Sequence, residues 1–282
     1  MKREPLPWRV GAREFDCNER TLVMGILNVT PDSFADGGRY SGLDEAVKHG
    51  IQMVADGADF VDVGGESTRP GSDPIPEAEE RDRVVPVIEA LVAEIGAPIS
   101  IDTRKAEVAS DAVSAGATIV NDVSAGADPK MFGVVAGTGA AMVLMHMKGE
   151  PKTMQKAPHY DDVVAEVHEF LEERLNAAVA AGIEFERLCV DPGLGFGKGF
   201  EHNITLMREL ESLRDLGRPI LVGPSRKSFI GQILDAEVDE RLEGTAGAVA
   251  LLVERGANIV RVHDVREMVR VVRVVEAIVR SR

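Results

Sequence analysis

Short runs of β-branched and apolar residues alternate with longer amphipathic stretches along almost the whole chain. The apolar runs predict eight strands, placed at Leu22–Asn28, Phe60–Gly64, Ile99–Asp102, Thr118–Asp122, Ala141–His146, Leu188–Asp191, Ile220–Val222 and Asn258–Val262. The stretches between them repeat with helical periodicity and predict helices at Leu43–Asp56, Pro76–Ile95, Ala106–Ala115, Pro129–Thr138, Asp161–Ala181, Ile204–Leu216, Leu242–Arg255 and Val265–Val279. Several helices end in a Gly-Ala step before the next strand, and glycine tolerates the left-handed conformation that terminates a helix.

Eight strands, each followed by a helix, predict the fold class. Continuous apolar strands indicate an α/β protein with a parallel sheet, because parallel strands are buried on both faces. Eight such units in a chain of 282 residues fit a closed (β/α)8 TIM barrel better than an open doubly wound sheet. We expect one barrel domain over residues 21–282. Residues 1–20 form an N-terminal extension, in which Trp8 and Phe15 are expected to cap the bottom of the barrel.

The charge and composition exclude several classes of partner. The formal net charge of −15 argues against nucleic acid and anionic membranes, which both need a basic surface, but it leaves small anionic substrates open. Neither an apolar run long enough to span a bilayer nor a secretory signal is found in the sequence. The two cysteines, Cys17 and Cys189, cannot form a disulfide framework, so we expect a cytoplasmic protein.

Polar or ionisable residues follow every predicted strand, and barrel active sites lie at the C-terminal ends of the strands. Asp102 and Asp191 offer carboxylate acceptors, and Asn121 offers both a donor and an acceptor. This set suits a flat heterocycle with a 2-amino group and a ring N–H on one edge. Lys227 is placed to donate to a ring carbonyl, and Arg261 to stack on the ring or pair with phosphate. Taken singly, each aspartate could instead be a helix N-cap.

Other strand-end residues predict where an anion and a metal would lie. Arg69, Arg261 and His263 would supply positive charge for an anionic leaving group, which predicts a locally positive pocket despite the negative net charge. Asn28 could hold a metal only with phosphate oxygens and water completing the coordination, since no carboxylate cluster has metal-ligand spacing.

The glycine-rich run DPGLGFGKGF (191–200) looks like a phosphate-binding loop but does not match one. A Walker loop needs glycine where Pro192 stands, and Ser or Thr where Gly199 follows Lys198. The dinucleotide fingerprint fails as well, so neither nucleotide motif is present.

The strand-end segments resemble those of the bacterial dihydropteroate synthases of folate biosynthesis. The matching segments occur in the family's order and span about residues 24 to 265: MGILNVTPDSFADGG (24–38), GADFVDVGGESTRPGS (57–72), ISIDTRKAEVA (99–109), IVNDVSAG (119–126), VLMHMKGEPKTMQ (143–155), DPGLGFGKGFEHN (191–203), GPSRKSFIG (223–231) and RVHDV (261–265). The resemblance implies a transferase that condenses 6-hydroxymethyl-7,8-dihydropterin pyrophosphate with p-aminobenzoate. The products would be 7,8-dihydropteroate and pyrophosphate, with the pyrophosphate leaving before the amine attacks.

The resemblance also implies roles for individual residues. It assigns catalysis to Asp102, Asp191, Lys227 and Arg261. The pterin would bind these four residues together with Asn121 and Met145. The pyrophosphate and its Mg²⁺ would face Asn28, Arg261 and His263. The site of p-aminobenzoate, which is also the target of sulfonamides, would comprise Phe34, Thr68, Arg69, Pro70, Phe196 and Ser228.

The last helix predicts a protein partner. Its stripe toward the barrel would comprise Met268, Val271, Val272, Val275, Ile278 and Val279, leaving Val269 and Val274 largely outside. This surplus of apolar surface, together with the family's dimers, predicts a homodimer through the C-terminal helices.

Three rival functions are open at this stage. A pterin-dependent methyltransferase would share Asp102, Asn121 and Asp191 but would not need the TPDSF, STRPG and SRKS segments. A non-catalytic pterin-binding module would not need Asn28 or Lys227. A sugar-phosphate barrel enzyme would need a glycine-rich phosphate cup after the last two strands.

Overall fold

The computed structural model describes residues 4–29, 39–68 and 71–280. An antiparallel hairpin, β1 (Pro7–Val10) and β2 (Arg13–Asp16), comes first. Eight strands then form one parallel sheet: β3 (Leu22–Asn28), β4 (Phe60–Gly64), β5 (Ile99–Asp102), β6 (Ile119–Asp122), β7 (Ala141–Met145), β8 (Leu188–Asp191), β9 (Leu221–Val222) and β10 (Ile259–Val262). The strand order is β8-β7-β6-β5-β4-β3-β10-β9, and a parallel bridge between Val190 and Ile220 joins the two ends of the sheet. The sheet therefore closes on itself, and the predicted (β/α)8 barrel is confirmed.

All eight predicted barrel strands are present, each within one residue of its expected bounds. They could be located because their backbones are covered on both sides: β4, β5, β6, β7 and β8 are buried at every position. The hairpin was not predicted, because its two strands are short and neither forms an apolar run: β1 alternates between half-buried and buried positions, and β2 has no buried position.

Nine helices lie in the part of the chain that the structure describes: α1 (Arg39–Ala55), α2 (Glu77–Glu94), α3 (Ala106–Ser114), α4 (Met131–Thr138), α5 (Val163–Ala180), α6 (Phe200–Arg208), α7 (Ser228–Leu234), α8 (Leu242–Glu254) and α9 (Val265–Arg280). Helix α7 was not predicted. None of the described helices is long and apolar enough to cross a bilayer.

The helix predicted over Ile204–Leu216 is wrong at both ends. Helix α6 begins at Phe200, where the backbone N–H of Gly199 donates to Nδ1 of His202 at 3.1 Å, and it ends at Arg208. A 3₁₀ segment, Leu210–Leu216, replaces its second half. The buried Leu210, Leu213 and Leu216 recur every three residues, so a helix with three residues per turn places all of them on one face.

The buried face of α9 also differs from the prediction. Val269 is buried rather than outside the stripe, because it packs where the backbone of Gly57 leaves room beside α1. Ile278 and Val279, expected to face the barrel, are 72% and 39% exposed. The end of α9 therefore presents apolar side chains to solvent, together with Val274, which is 60% exposed.

The hairpin packs against the amino ends of the barrel strands. Trp8 is fully buried and meets the ring of Phe60, the first residue of β4, edge-on at 5.3 Å between centroids. Phe15 meets the same ring at 5.0 Å, and the indole N–H of Trp8 donates to the carbonyl of Arg187 at 3.1 Å. These residues belong to a core cluster inside the barrel, separate from the larger core between strands and helices.

Candidate active site

The carboxyl ends of the barrel strands surround a cleft of about 340 Å³, part of which is open to solvent. The cleft is lined by Asp102, Asn121, Val123, Met145, Asp191, Gly193, Leu194, Phe196, Gly223, Lys227 and Arg261. Every residue predicted to hold the pterin lies in this lining.

The register of the parallel strands brings the strand-end residues to one level. Asn28 at the end of β3 pairs with Gly64, Gly64 pairs with Asp102, and Asp102 pairs with Asn121. Because paired positions in a parallel sheet send their side chains to the same side, these residues form a row along the barrel mouth. Asp191 at the end of β8 pairs with Met145 and lines the same cleft, two residues beyond Cys189, the position that the register aligns with Asn121 through Val143.

Arg261 is held by two carboxylates within the cleft. Its Nε donates to Oδ2 of Asp62 at 2.6 Å, and its Nη2 donates to Oδ2 of Asp102 at 2.7 Å. The same Asp62 oxygen accepts from Nδ2 of Asn121 at 3.1 Å. One fully buried carboxylate therefore fixes the orientation of both the guanidinium and the amide.

Asp62 is a site residue that the sequence analysis missed. It lies in the middle of β4, whereas the predicted site residues stand at or after strand ends. A signal was present, because a carboxylate within FVDVG is out of place in a strand that is buried on both faces.

The second oxygen of Asp102 is free to bind a ligand. Asp102 is 8% exposed, and its Oδ1 is buried without a hydrogen-bond partner among the described residues. Burial raises the pKa of Asp102, and the Arg261 guanidinium acts in the opposite direction. A buried acceptor without a partner is costly, so this oxygen is suited to receive an N–H group from a bound molecule.

Asp191 is positioned by the glycine-rich loop that follows it. Its Oδ1 accepts the backbone N–H of Gly193 at 2.7 Å. Gly193 has a positive φ of 67°, and a side chain there would collide with the carbonyl oxygen of His146. Burial raises the pKa of Asp191 to about 6, opposed by the Gly193 hydrogen bond and by Lys227, so the group is mostly ionised at pH 7.5.

Lys227 and Phe196 meet at one wall of the cleft. The ammonium nitrogen of Lys227 lies 4.1 Å from the centroid of the Phe196 ring, within range of a cation–π contact. Burial and Arg261 lower the pKa of Lys227 to about 8, and Asp191 and Asp102 act against this shift.

The preceding residue, Arg226, has a φ of 57°, and its guanidinium donates to both carboxylate oxygens of Asp264. These contacts fix the backbone that carries Lys227.

His263 lies beside the cleft as a neutral imidazole. Its Nδ1 lies 2.9 Å from Oγ of Ser225, and burial together with Arg261 lowers its pKa to about 3. This lowered pKa argues against the expectation that His263 carries a positive charge when no ligand is bound.

The predicted positive pocket is also not found in the described part of the cleft. Three buried carboxylates, Asp62, Asp102 and Asp191, face the two cations Lys227 and Arg261. The prediction left out Asp62 and counted His263 as charged; Arg69, which it also counted, lies outside the described residues, so the charge of the whole pocket stays a prediction.

The remaining predicted site residues are not all described. Ser228 begins α7 and is exposed, and Thr68 is half-buried after β4; neither lines the cleft. Phe34, Arg69 and Pro70 lie outside the described residues.

Asn28 has the chemistry and position to contribute one oxygen ligand to a metal. Its Oδ1 and the Oδ2 of Asp102 would lie 3.8 and 3.7 Å from a side-chain carbon placed on Gly64 between them. No group of three or more His, Cys, Asp or Glu side chains that could hold a metal occurs among residues 4–29, 39–68 and 71–280. Mg²⁺ is often held by one or two protein oxygens plus substrate phosphates and water, and the residues present fit that mode.

The chain is similar to known proteins in sequence and structure. Residues 24–263 match the sequence profile of the family described as pterin binding enzyme. The chain is 49% identical over 255 residues to the dihydropteroate synthase of Escherichia coli (strain K12), a match covering 90% of each chain. Its fold matches that of Xanthomonas albilineans dihydropteroate synthase with 4-aminobenzoic acid, with a TM-score of 0.91, 47% identity and 98% coverage of both chains. It also matches Yersinia pestis dihydropteroate synthase in a sulfonamide drug complex, with a TM-score of 0.92, 43% identity, and coverage of 98% of this chain and all of that one.

Proposed function

The chain belongs to the pterin binding enzymes and, within them, to the dihydropteroate synthases, and from this premise we propose how its cleft performs the reaction of that family. The enzyme condenses 6-hydroxymethyl-7,8-dihydropterin pyrophosphate with p-aminobenzoate to give 7,8-dihydropteroate and pyrophosphate. The observation that carries the assignment of the site is the buried, unpaired Oδ1 of Asp102 in a row with Asn121 and across the cleft lining from Asp191.

The pterin binds through its 2-amino and ring N–H edge. Asp102 and Asp191 accept these N–H groups as charge-assisted hydrogen bonds, which are stronger than neutral ones. Because Asn121 already donates to Asp62, its carbonyl oxygen is left for a ligand donor. Lys227 donates to the ring carbonyl, and Met145 and Phe196 pack on the apolar faces of the ring.

The second substrate enters beside Phe196. By the family resemblance its site comprises Phe34, Thr68, Arg69, Pro70, Phe196 and Ser228, of which three lie in the described part of the chain. Relatives that bind 4-aminobenzoic acid and a sulfonamide support this choice of ligand. We propose that sulfonamides, which carry the same aromatic amine, compete for this site.

Bond cleavage precedes bond formation. The C–O bond to pyrophosphate breaks, and the pterin methylene carbon becomes cationic until the amine nitrogen of p-aminobenzoate attacks it. The carboxylates of Asp102 and Asp191 stabilise this cation at close range in a buried site. Asn28, together with pyrophosphate oxygens, would hold a Mg²⁺ ion, and that ion would supply positive charge for the leaving group when bound.

The assignment is tested by mixing the protein with both substrates and Mg²⁺ and measuring pyrophosphate release. We expect release that requires p-aminobenzoate, and a loss of at least ~100-fold in Lys227→Ala, because a charged contact in the cleft is removed. Lys48→Ala, on the exposed face of α1, is the matched control and should retain wild-type activity. Release no faster from the wild type than from Lys227→Ala would overturn the function.

We further propose that the protein is a homodimer through its C-terminal helices. The end of α9 exposes Val274, Ile278 and Val279, and the adjacent α8 exposes Leu251 at 43%, which leaves apolar surface for a second copy to cover. Sedimentation at micromolar protein should give twice the 30.3 kDa chain mass, and Ile278→Glu should reduce it to the chain mass. Val179→Glu, at a similarly exposed valine on α5, should leave the dimer intact; a wild-type monomer would refute the proposal.

Localisation in the cytoplasm stays a prediction. Both cysteines are buried free thiols, which is consistent with a reducing compartment.

A further inference from the structure

Lys198 is a buried lysine without a carboxylate partner in the described structure. Its side chain is 2% exposed and lies in the glycine-rich loop between β8 and α6. Buried lysines are rare unless they are paired. The ammonium nitrogen instead contacts three neutral acceptors: Nδ1 of His146 at 2.8 Å, the carbonyl oxygen of His146 at 3.2 Å and the carbonyl oxygen of Phe196 at 3.0 Å.

These acceptors belong to two different walls of the cleft. His146 directly follows Met145, which lines the cleft at the end of β7. Phe196 also lines the cleft, and it lies in the loop that follows β8. An ammonium has three N–H donors, so Lys198 can satisfy all three acceptors at once and tie the two walls together.

Other side chains hold the loop but do not bind the Phe196 backbone. Asn203 accepts from the N–H of Gly195 at 2.6 Å, Gln155 donates to the carbonyl of Gly195 at 2.6 Å, and Tyr160 donates to the carbonyl of Gly197 at 2.7 Å. Among the described residues, the side-chain hydrogen bond to the backbone of Phe196 comes from Lys198.

The phenyl ring of Phe196 in turn contacts the ammonium of Lys227. We propose that Lys198 is a positioning residue that sets the place of Phe196, and through its ring that of Lys227, in the substrate cleft. This inference rests on the proposed function, because it assigns Lys198 a part in binding the same pterin substrate. Lys198 itself lies behind the cleft wall and does not line it.

A double-mutant cycle tests the coupling directly. Calorimetric titration with 6-hydroxymethyl-7,8-dihydropterin pyrophosphate is run on the wild type, Lys198→Met, Phe196→Ala and the double variant. We expect each single change to weaken binding by about tenfold, and Phe196→Ala to cost less than about threefold when Lys198 is already replaced. Additive losses would overturn the inference, because a purely structural lysine would weaken the protein without coupling to Phe196.

Two further variants keep the result interpretable. Lys130→Met removes an exposed lysine whose ammonium pairs with Glu107 and which does not line the cleft, so binding should stay at the wild-type level. If Lys198→Met does not fold, the neutral but polar Lys198→Gln takes its place in the cycle. Lys198→Arg, which retains the charge and N–H donors, should lose less affinity than the neutral variant.

The two proposals fail in different ways. A wild-type protein that does not bind the pterin would overturn the proposed function, and this inference with it. A wild type that binds the pterin, with Lys198 variants that bind it equally well, would overturn the positioning role alone.

Discussion

Replacing Asp191 with asparagine should separate pterin binding from stability. The amide oxygen of Asp191→Asn can still accept the N–H of Gly193, so the glycine-rich loop keeps its anchor. The other oxygen becomes an NH₂ group, which would face the N–H donors of the pterin. The variant loses a charge-assisted hydrogen bond to the pterin and leaves a desolvated donor unpaired. Together these changes weaken the free energy of pterin binding by about 3 to 4 kcal/mol. The dissociation constant should therefore rise roughly 100- to 1,000-fold.

The same variant should be at least as stable as the wild type. Burial raises the pKa of Asp191 from 3.8 to about 6, so the ionised group destabilises the fold above that pH. Removing the charge should increase the free energy of unfolding by on the order of 1 to 3 kcal/mol at pH 7.5, since each pKa unit corresponds to about 1.4 kcal/mol. Calorimetric titration gives the binding term and urea unfolding gives the stability term.

Asp122→Asn is the matched control for this experiment. Asp122 is also a fully buried aspartate at a strand end, but its oxygens accept from Ser124 and Gly126 and it does not line the cleft. Its replacement should leave pterin affinity unchanged. Pterin binding by Asp191→Asn within about threefold of the wild type would refute the assignment of Asp191 as a ligand.

Three further predictions concern pH, the buried network and the hairpin. Pterin affinity should fall as the pH drops from about 7 through about 6, because burial raises the pKa of Asp102 to about 7 and that of Asp191 to about 6, and a protonated carboxyl loses its charge as an acceptor; calorimetry showing constant affinity down to pH 5 would contradict this. Asp62→Asn should cost about 3 to 5 kcal/mol in urea unfolding, because it leaves the Arg261 charge partly unpaired, and it should also weaken pterin binding; normal values of both would remove Asp62 from the site. Trp8→Ala should cost about 3 to 5 kcal/mol in the same unfolding assay yet leave pyrophosphate release at 25 °C unchanged, because the hairpin lies at the end of the barrel opposite the cleft; an unchanged unfolding midpoint would contradict its role in the core.

The barrel was predictable because its strands are encoded locally. A run such as FVDVG or ISID predicts a buried strand from its own residues, independently of the helix that packs on it. The glycine after many of the helices predicts the turn that follows. The structure of segment 200–216 was not predictable in this way. It depends on a helix that begins directly after Gly199 and on three leucines whose spacing suits a 3₁₀ helix as well as an α-helix. The buried face of α9 depends on space beside Gly57, which is distant in sequence.

The cleft residues that stand at strand ends could be predicted from the sequence. Asp102, Asn121 and Asp191 were found in this way, since the barrel architecture alone sends such positions to one mouth. Asp62 and Lys198 were not assigned, because their roles depend on partners from other strands and loops. The sequence of the glycine-rich loop resembles a phosphate loop but does not match one. In the folded protein its lysine turns inward and bonds to His146.

The neutral state of His263 shows the same limit for electrostatics. A histidine at a strand end beside arginines suggests a cation from sequence, but burial and those same arginines lower its pKa to about 3. Charge in a buried cleft is set by its neighbours, and the net charge of −15 gives no indication of it.

The central claim is that the pterin binds across Asp102, Asn121 and Asp191 at the barrel mouth. A crystal structure of the protein with 6-hydroxymethyl-7,8-dihydropterin pyrophosphate tests it most directly. The account predicts the 2-amino and ring N–H edge on these three side chains, with Oδ1 of Asp102 paired and Lys227 at the ring carbonyl. A pterin bound elsewhere, or bound in the cleft with that edge turned to solvent, would contradict it.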